Sequence, residues 1–161
     1  FFLTMGIAIS IVIGQLIGAG KLKEAKETDT KMITFSLMIS LGVSALLLIA
    51  APLFPRIYNT TGEIRYLATR FILVYVLATP FNAFTNAAYF TLRSGGKTVM
   101  TFIFDSGFIW AVNVPVAMLL AHFTNLPIVW MFFIISMLDA IKSVVGFILV
   151  KKGDWLNIIV E

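Results

Sequence analysis

The segment MITFSLMISLGVSALLLIAAPLFP, Met32–Pro55, runs 24 residues without a charged side chain. A helix crossing a ~30 Å hydrocarbon core needs about 20 predominantly apolar residues. Barrel strands are shorter and alternate apolar with polar, so they do not account for such a run. Outward from this stretch the pattern repeats: Phe1–Gly20 and Phe71–Leu92 are also free of charge. Of 161 residues, 60% are hydrophobic and 12% are charged. A soluble domain has roughly 45–50% and 25%, and one soluble core of this length could not hide so much apolar surface. The composition predicts an all-α, polytopic transmembrane bundle forming a single transmembrane domain over residues 1–161.

Five spans are expected, at about 1–19, 32–54, 64–92, 98–121 and 128–150. Local signals punctuate them: a C-cap at Gly18-Ala19-Gly20, Pro52 and Pro55 after the second span, and a capping box around Thr60-Thr61-Gly62-Glu63. Ser94-Gly95-Gly96 reads as a tight turn and Asn125-Leu126-Pro127 as a turn before a helix start. Lys21, Lys23, Lys26, Lys31, Arg93, Lys97, Lys151 and Lys152 fall on one side of the membrane. Arg56 and Arg65 fall on the other, with Arg70 just inside the third span. The basic side is expected to be cytoplasmic, and the C-terminus with it. Trp130 and Trp155 suit interfacial positions. The chain opens inside an apolar span without an initiator Met or a signal-peptide n-region, so a fragment lacking its N-terminal portion is expected.

Several function classes are excluded by residue type. There is no cysteine, hence no thiolate metal site or thiol nucleophile. Gly20-Lys21 and Gly96-Lys97-Thr98 lack the remainder of a phosphate loop and follow helices rather than strands. His122, the single histidine, lies at a membrane edge, and no catalytic triad or helical metal motif can be drawn. No cofactor is expected. The net charge of +4 reflects topology, not nucleic-acid binding. Asn59-Thr60-Thr61 is a glycosylation sequon that matters only in a eukaryotic host. Gly14 and Gly18 form a GxxxG element that predicts close helix packing, with Gln15 a candidate for the substrate or ion cavity.

Intramembrane polar residues carry the functional information. Asp105 is eight residues from Lys97, or ~12 Å deep by helical rise. Lys142 is nine from Lys151, ~13 Å, and Asp139 is twelve, ~18 Å. Charges at such depth are costly and face protein or a water-filled cavity. A buried charge network of Asp105, Lys142 and Asp139 is therefore expected, with Asp139 the candidate for proton or substrate coupling. Asn82 and Asn86, one turn apart beside Pro80, are candidate cavity residues. Proline in a membrane helix frees a carbonyl and can open a polar notch.

The loop motifs resemble those of one family. Gly14-Gln15-Leu16-Ile17-Gly18-Ala19-Gly20-Lys21, with Ala25 after it, and Leu92-Arg93-Ser94-Gly95-Gly96-Lys97-Thr98 two spans later are similar to the signatures of multidrug and toxic-compound extrusion (MATE) transporters. Trp110 followed by Pro115 also fits. The resemblance covers the whole chain. It implies helices eight to twelve of a twelve-helix carrier, in two six-helix halves, in the inner membrane of a bacterium or archaeon. The implied partners are the missing N-terminal half, membrane lipid, a small-molecule substrate and a proton or sodium as coupling ion. The implied function is a secondary antiporter, not an enzyme, that exports organic cations or other amphipathic compounds by alternating access. The alternatives are a lipid-linked saccharide flippase of similar architecture and a membrane-embedded enzyme. A sodium-coupled branch of the family carries an aspartate eleven residues before the loop arginine; here that position is Asn82, which cannot titrate.

Overall fold

The computed structural model describes residues 2–58 and 61–156. Among these residues all regular structure is helical: α1 Phe2–Gly18, α2 Leu22–Ala50, α3 Phe54–Ile57, α4 Gly62–Ser94, α5 Thr98–Phe102, α6 Val114–Phe123 and α7 Ile128–Lys152. Two π-helical segments, Ile103–Gly107 and Ile109–Asn113, join α5 to α6 into one continuous rod. Four of the rods are long and apolar enough to cross a membrane. The 17-residue α1 is apolar but shorter. The chain is an all-α polytopic bundle.

Burial is inverted relative to a soluble protein, as a lipid solvent requires. Large aliphatic and aromatic side chains such as Leu46, Ile49, Met118 and Phe123 point outward. Small and hydroxyl side chains fill many of the contacts between helices, together with a cluster that includes Ile9, Ile13, Leu92 and Phe104. Along α2 the buried positions are Ala25, Asp29, Ile33, Ser36, Ser40 and Ser44, a spacing of three to four that lines one helical face. α4 is the central helix, with α1, α2 and α7 all packed against it. Small facing residues let backbones approach closely where lipid supplies no hydrophobic drive.

The second helix starts ten residues before the expected span. Residues 22–31, read from their charge as loop, are helical because Leu, Lys, Glu and Ala are good helix formers; Lys21 Nζ also bridges Glu24 Oε2 at 3.1 Å. Polarity marked where the chain leaves lipid, not where the helix stops. At the start of α4, Thr61 holds the N-cap position without a side-chain cap bond. The remainder of that capping signal, Thr60, and the Asn59 of the sequon lie outside the described residues.

At two places the described residues pack differently from the sequence expectation. A Cβ on Gly14 or Gly18 would meet nothing within 4 Å, so among the described residues no helix approaches that pair. The tight glycines are others: a Cβ at Gly146 would lie 3.0 Å from Phe104 and 3.2 Å from Ala88, and one at Gly6 would overlap Phe90. Trp130 is exposed, but Trp155 is fully buried. After the left-handed C-cap Gly153 (φ 78°), the chain folds back. The Trp155 indole Nε1–H donates to the Val150 carbonyl at 2.9 Å, and the Trp155 carbonyl sits where a Gly95 Cβ would be. A tryptophan belongs at the interface only when its own chain leaves it there.

Pro80 does not break α4, which is continuous from Gly62 to Ser94. The carbonyl a proline leaves unpaired is that of residue i−4, here Val76. Ser44 of α2 donates its hydroxyl to that carbonyl at 3.3 Å. The expected opening of the backbone is thus closed by a neighbouring helix, one of the ways membrane helices tolerate proline.

Candidate functional site

A cavity of about 560 Å³ lies between α4, α7 and the π-helical part of the fourth rod, with Leu3 of α1 at its edge. Asn82, Asn86, Asp105, Asp139 and Lys142 all line it. Gln15 is exposed and is not among the lining residues; His122 is likewise exposed and outside the cavity.

The charges within the cavity are not equivalent. Lys142 Nζ donates to Asp105 Oδ1 at 2.6 Å, with the lysine side chain 6% and the aspartate 42% exposed. The ammonium also lies 5.3 Å from the centroid of the Phe104 ring, a favourable place for a desolvated cation. The Asp139 carboxylate, one turn before Lys142, makes no hydrogen bond or ion pair among the described residues. Asp139 is therefore the acid in the cavity with neither carboxylate oxygen engaged among the described residues, whereas Asp105 uses Oδ1 and keeps Oδ2 open.

The asparagines share one habit. The Asn82 amide Nδ2 donates to the Ala78 carbonyl at 3.2 Å, and the Asn86 Nδ2 to the Asn82 carbonyl at 3.1 Å. Each spends a donor on its own helix and leaves its amide oxygen without a protein donor. Behind them, the Thr85 hydroxyl meets Ser143 Oγ at 2.9 Å, and the Ser143 hydroxyl lies 2.8 Å from the Asp139 carbonyl and 3.1 Å from the Phe81 carbonyl. A hydroxyl carries one proton, so Thr85 donates to Ser143, and Ser143 to one of these carbonyls. This network fixes the rotation of α7 against α4, and with it the direction in which Asp139 and Lys142 face.

The sequence reading missed Tyr89, Arg93 and Asn113, which also line the cavity. Tyr89 lies three and seven residues beyond Asn86 and Asn82 and was readable on a helical wheel. Asn113 was not. On an ideal α-helix it stands about 80° from Asp105. The π segments widen the turn, so Asp105, Ile109 and Asn113, four residues apart, come onto one face. Also missed was Asp29, fully buried at the basic-loop end, where Thr91 Oγ1 donates to its Oδ1 at 2.6 Å and ties α2 to α4.

Lipid-length helices around an intramembrane polar cavity define an integral membrane protein of the polytopic helical class. The MatE family pattern matches residues 1–119, and the chain belongs to that family. It is 29% identical over 131 residues to the probable multidrug resistance protein YoeA of Bacillus subtilis, covering 79% of this chain and 28% of that protein. Identity to the probable multidrug resistance protein NorM of Oceanobacillus iheyensis is 27%, covering 77% and 28%. Identity to the human multidrug and toxin extrusion protein 1 is 23%, covering 89% and 25%. The chain thus spans about a quarter of the length of these relatives. No solved structure matches it.

Proposed function

We propose that this chain forms part of the C-terminal half of a secondary antiporter that exports organic cations or related amphipathic compounds in exchange for protons or sodium. The observation that carries the reading is the shared cavity in which Asn82, Asn86 and the unpaired Asp139 carboxylate meet. A cation and a coupling ion that compete for one carboxylate, or for carboxylates coupled through the protein, each bias the balance between inward- and outward-open states. Rocking of two lobes around such a cavity converts that competition into transport. The relatives named for multidrug resistance and for multidrug and toxin extrusion support the same reading. Lys142 serves the fold in this account, since its charge is committed to Asp105.

The test is transport by the full-length protein. Asp139→Asn should lower cation export at least tenfold and change its pH dependence, with folded yield nearly intact. Loss of folded protein in proportion to activity would make Asp139 a structural residue and remove the basis of the reading.

A further inference from the structure

Several hydrogen-bond acceptors of the cavity have no partner among the described residues. On the acceptor side stand the Asn82 and Asn86 amide oxygens, which receive no protein hydrogen among the described residues, and the Asp139 carboxylate, which is in the same position. A fourth is Asn113 Oδ1, a buried side-chain oxygen without a hydrogen-bond partner. On the donor side, Lys142 is held by Asp105 and Thr85 by Ser143, while Tyr89 and Arg93 line the cavity three and seven residues beyond Asn86, toward the loop end of α4. A buried acceptor without a donor is destabilising, and in native proteins it calls for a specific account. Its setting adds to that case. Asn113 ends a π-helical segment, a distortion frequently found at functional sites. The same distortion turns it toward Asp105 and the cavity.

We infer that the cavity selects its ligand by hydrogen-bond donation: it takes cations bearing several N–H groups, a primary ammonium or a guanidinium, over quaternary cations of equal size, with Asn113 as a specificity-determining acceptor. The inference rests on the cation-exporter reading above and sharpens it. A quaternary ammonium satisfies the charge of Asp139 but leaves the amide oxygens as they were. A primary ammonium offers three N–H groups, one for the carboxylate and two for amide oxygens. Sites built to hydrogen-bond a ligand group reject analogues that lack it far more strongly than apolar pockets reject a change of size.

The experiment uses the purified full-length protein and two monovalent probes, a primary arylalkylammonium and its N,N,N-trimethyl analogue, with binding measured by calorimetry. The primary ammonium should bind roughly tenfold to a hundredfold more tightly, the range expected of one hydrogen bond to a charged donor. Asn113→Leu should bring the two affinities to within about threefold while leaving the melting temperature unchanged or higher, because it removes an orphaned buried polar atom. Asn113→Ser, which keeps a shorter acceptor, should fall between. Equal binding of both probes to the unmodified protein would overturn the donor-selection proposal and leave the cation reading standing. Binding of neither would overturn both. An undiminished preference in both variants, or a lower melting temperature in Asn113→Leu without loss of preference, would remove Asn113 from the role.

Discussion

At the scale of single residues, the pair Asp105–Lys142 shows how burial decides which partner matters. Lys142 is nearly enclosed, while Asp105 keeps 42% of its side chain exposed. Removing one partner of a buried pair costs about 3–5 kcal/mol when the other charge is left uncompensated. Lys142→Met leaves an aspartate that water can still reach. Asp105→Asn leaves a desolvated ammonium. Asp105→Asn should therefore destabilise more than Lys142→Met, and the double variant should recover most of the loss; thermal unfolding in detergent would measure all three. Equal losses would mean that Lys142 turns to Asp139, one helical turn away, as readily as it holds Asp105. The depth estimate matched Asp105 to Lys142 from sequence because both distances follow from helical rise. It could not choose between Asp105 and Asp139 as the lysine's partner. That choice depends on the rotation of α7 about its axis, which Thr85 and Ser143 set.

At the scale of helices, Pro80 and Ser44 form a unit divided between α4 and α2. Proline removes the hydrogen that Val76 would receive, and Ser44 supplies one in its place. Interhelical hydrogen bonds of this kind contribute about 0.6–1.7 kcal/mol within membranes. Ser44→Ala should cost an amount in that range. In a Pro80→Ala background the Val76 carbonyl regains its helical partner, and Ser44→Ala should become nearly neutral. The double-mutant cycle isolates that coupling. Simple additivity would show that the serine acts through packing alone. The fourth rod is the contrasting element. Its π-helical turns lie between Phe102 and Val114 and stop just before Pro115, whose nitrogen carries no hydrogen. A regular helical wheel does not describe positions beyond Gly107, which is why Asn113 was not legible.

At the scale of the whole molecule, the orientation proposed from lysine and arginine is open to direct measurement. The chain has no cysteine, so Lys97→Cys and Glu63→Cys can be read separately in an otherwise cysteine-free full-length protein. In intact cells, a membrane-impermeant thiol reagent should reach position 63 and spare position 97; the reverse pattern would invert the topology. The membrane class itself was determined by sequence alone. Lipid offers no hydrogen bonds and excludes charge, so each crossing must be a long charge-free stretch that satisfies its backbone internally, and both requirements are written along the chain. The turns Gly18-Ala19-Gly20 and Ser94-Gly95-Gly96 were legible for the same reason, as local backbone chemistry. The tertiary structure decided what depends on neighbours. It set Ser44 against the carbonyl freed by Pro80, buried Asp29 on Thr91, gave Gly14 and Gly18 no close neighbour among the described residues, and gathered Asn82, Asn86, Asn113 and Asp139 around one cavity. A polar group's energy is set by the partner that meets it, and these partners lie dozens of residues apart or on a helix whose turn is not the regular one.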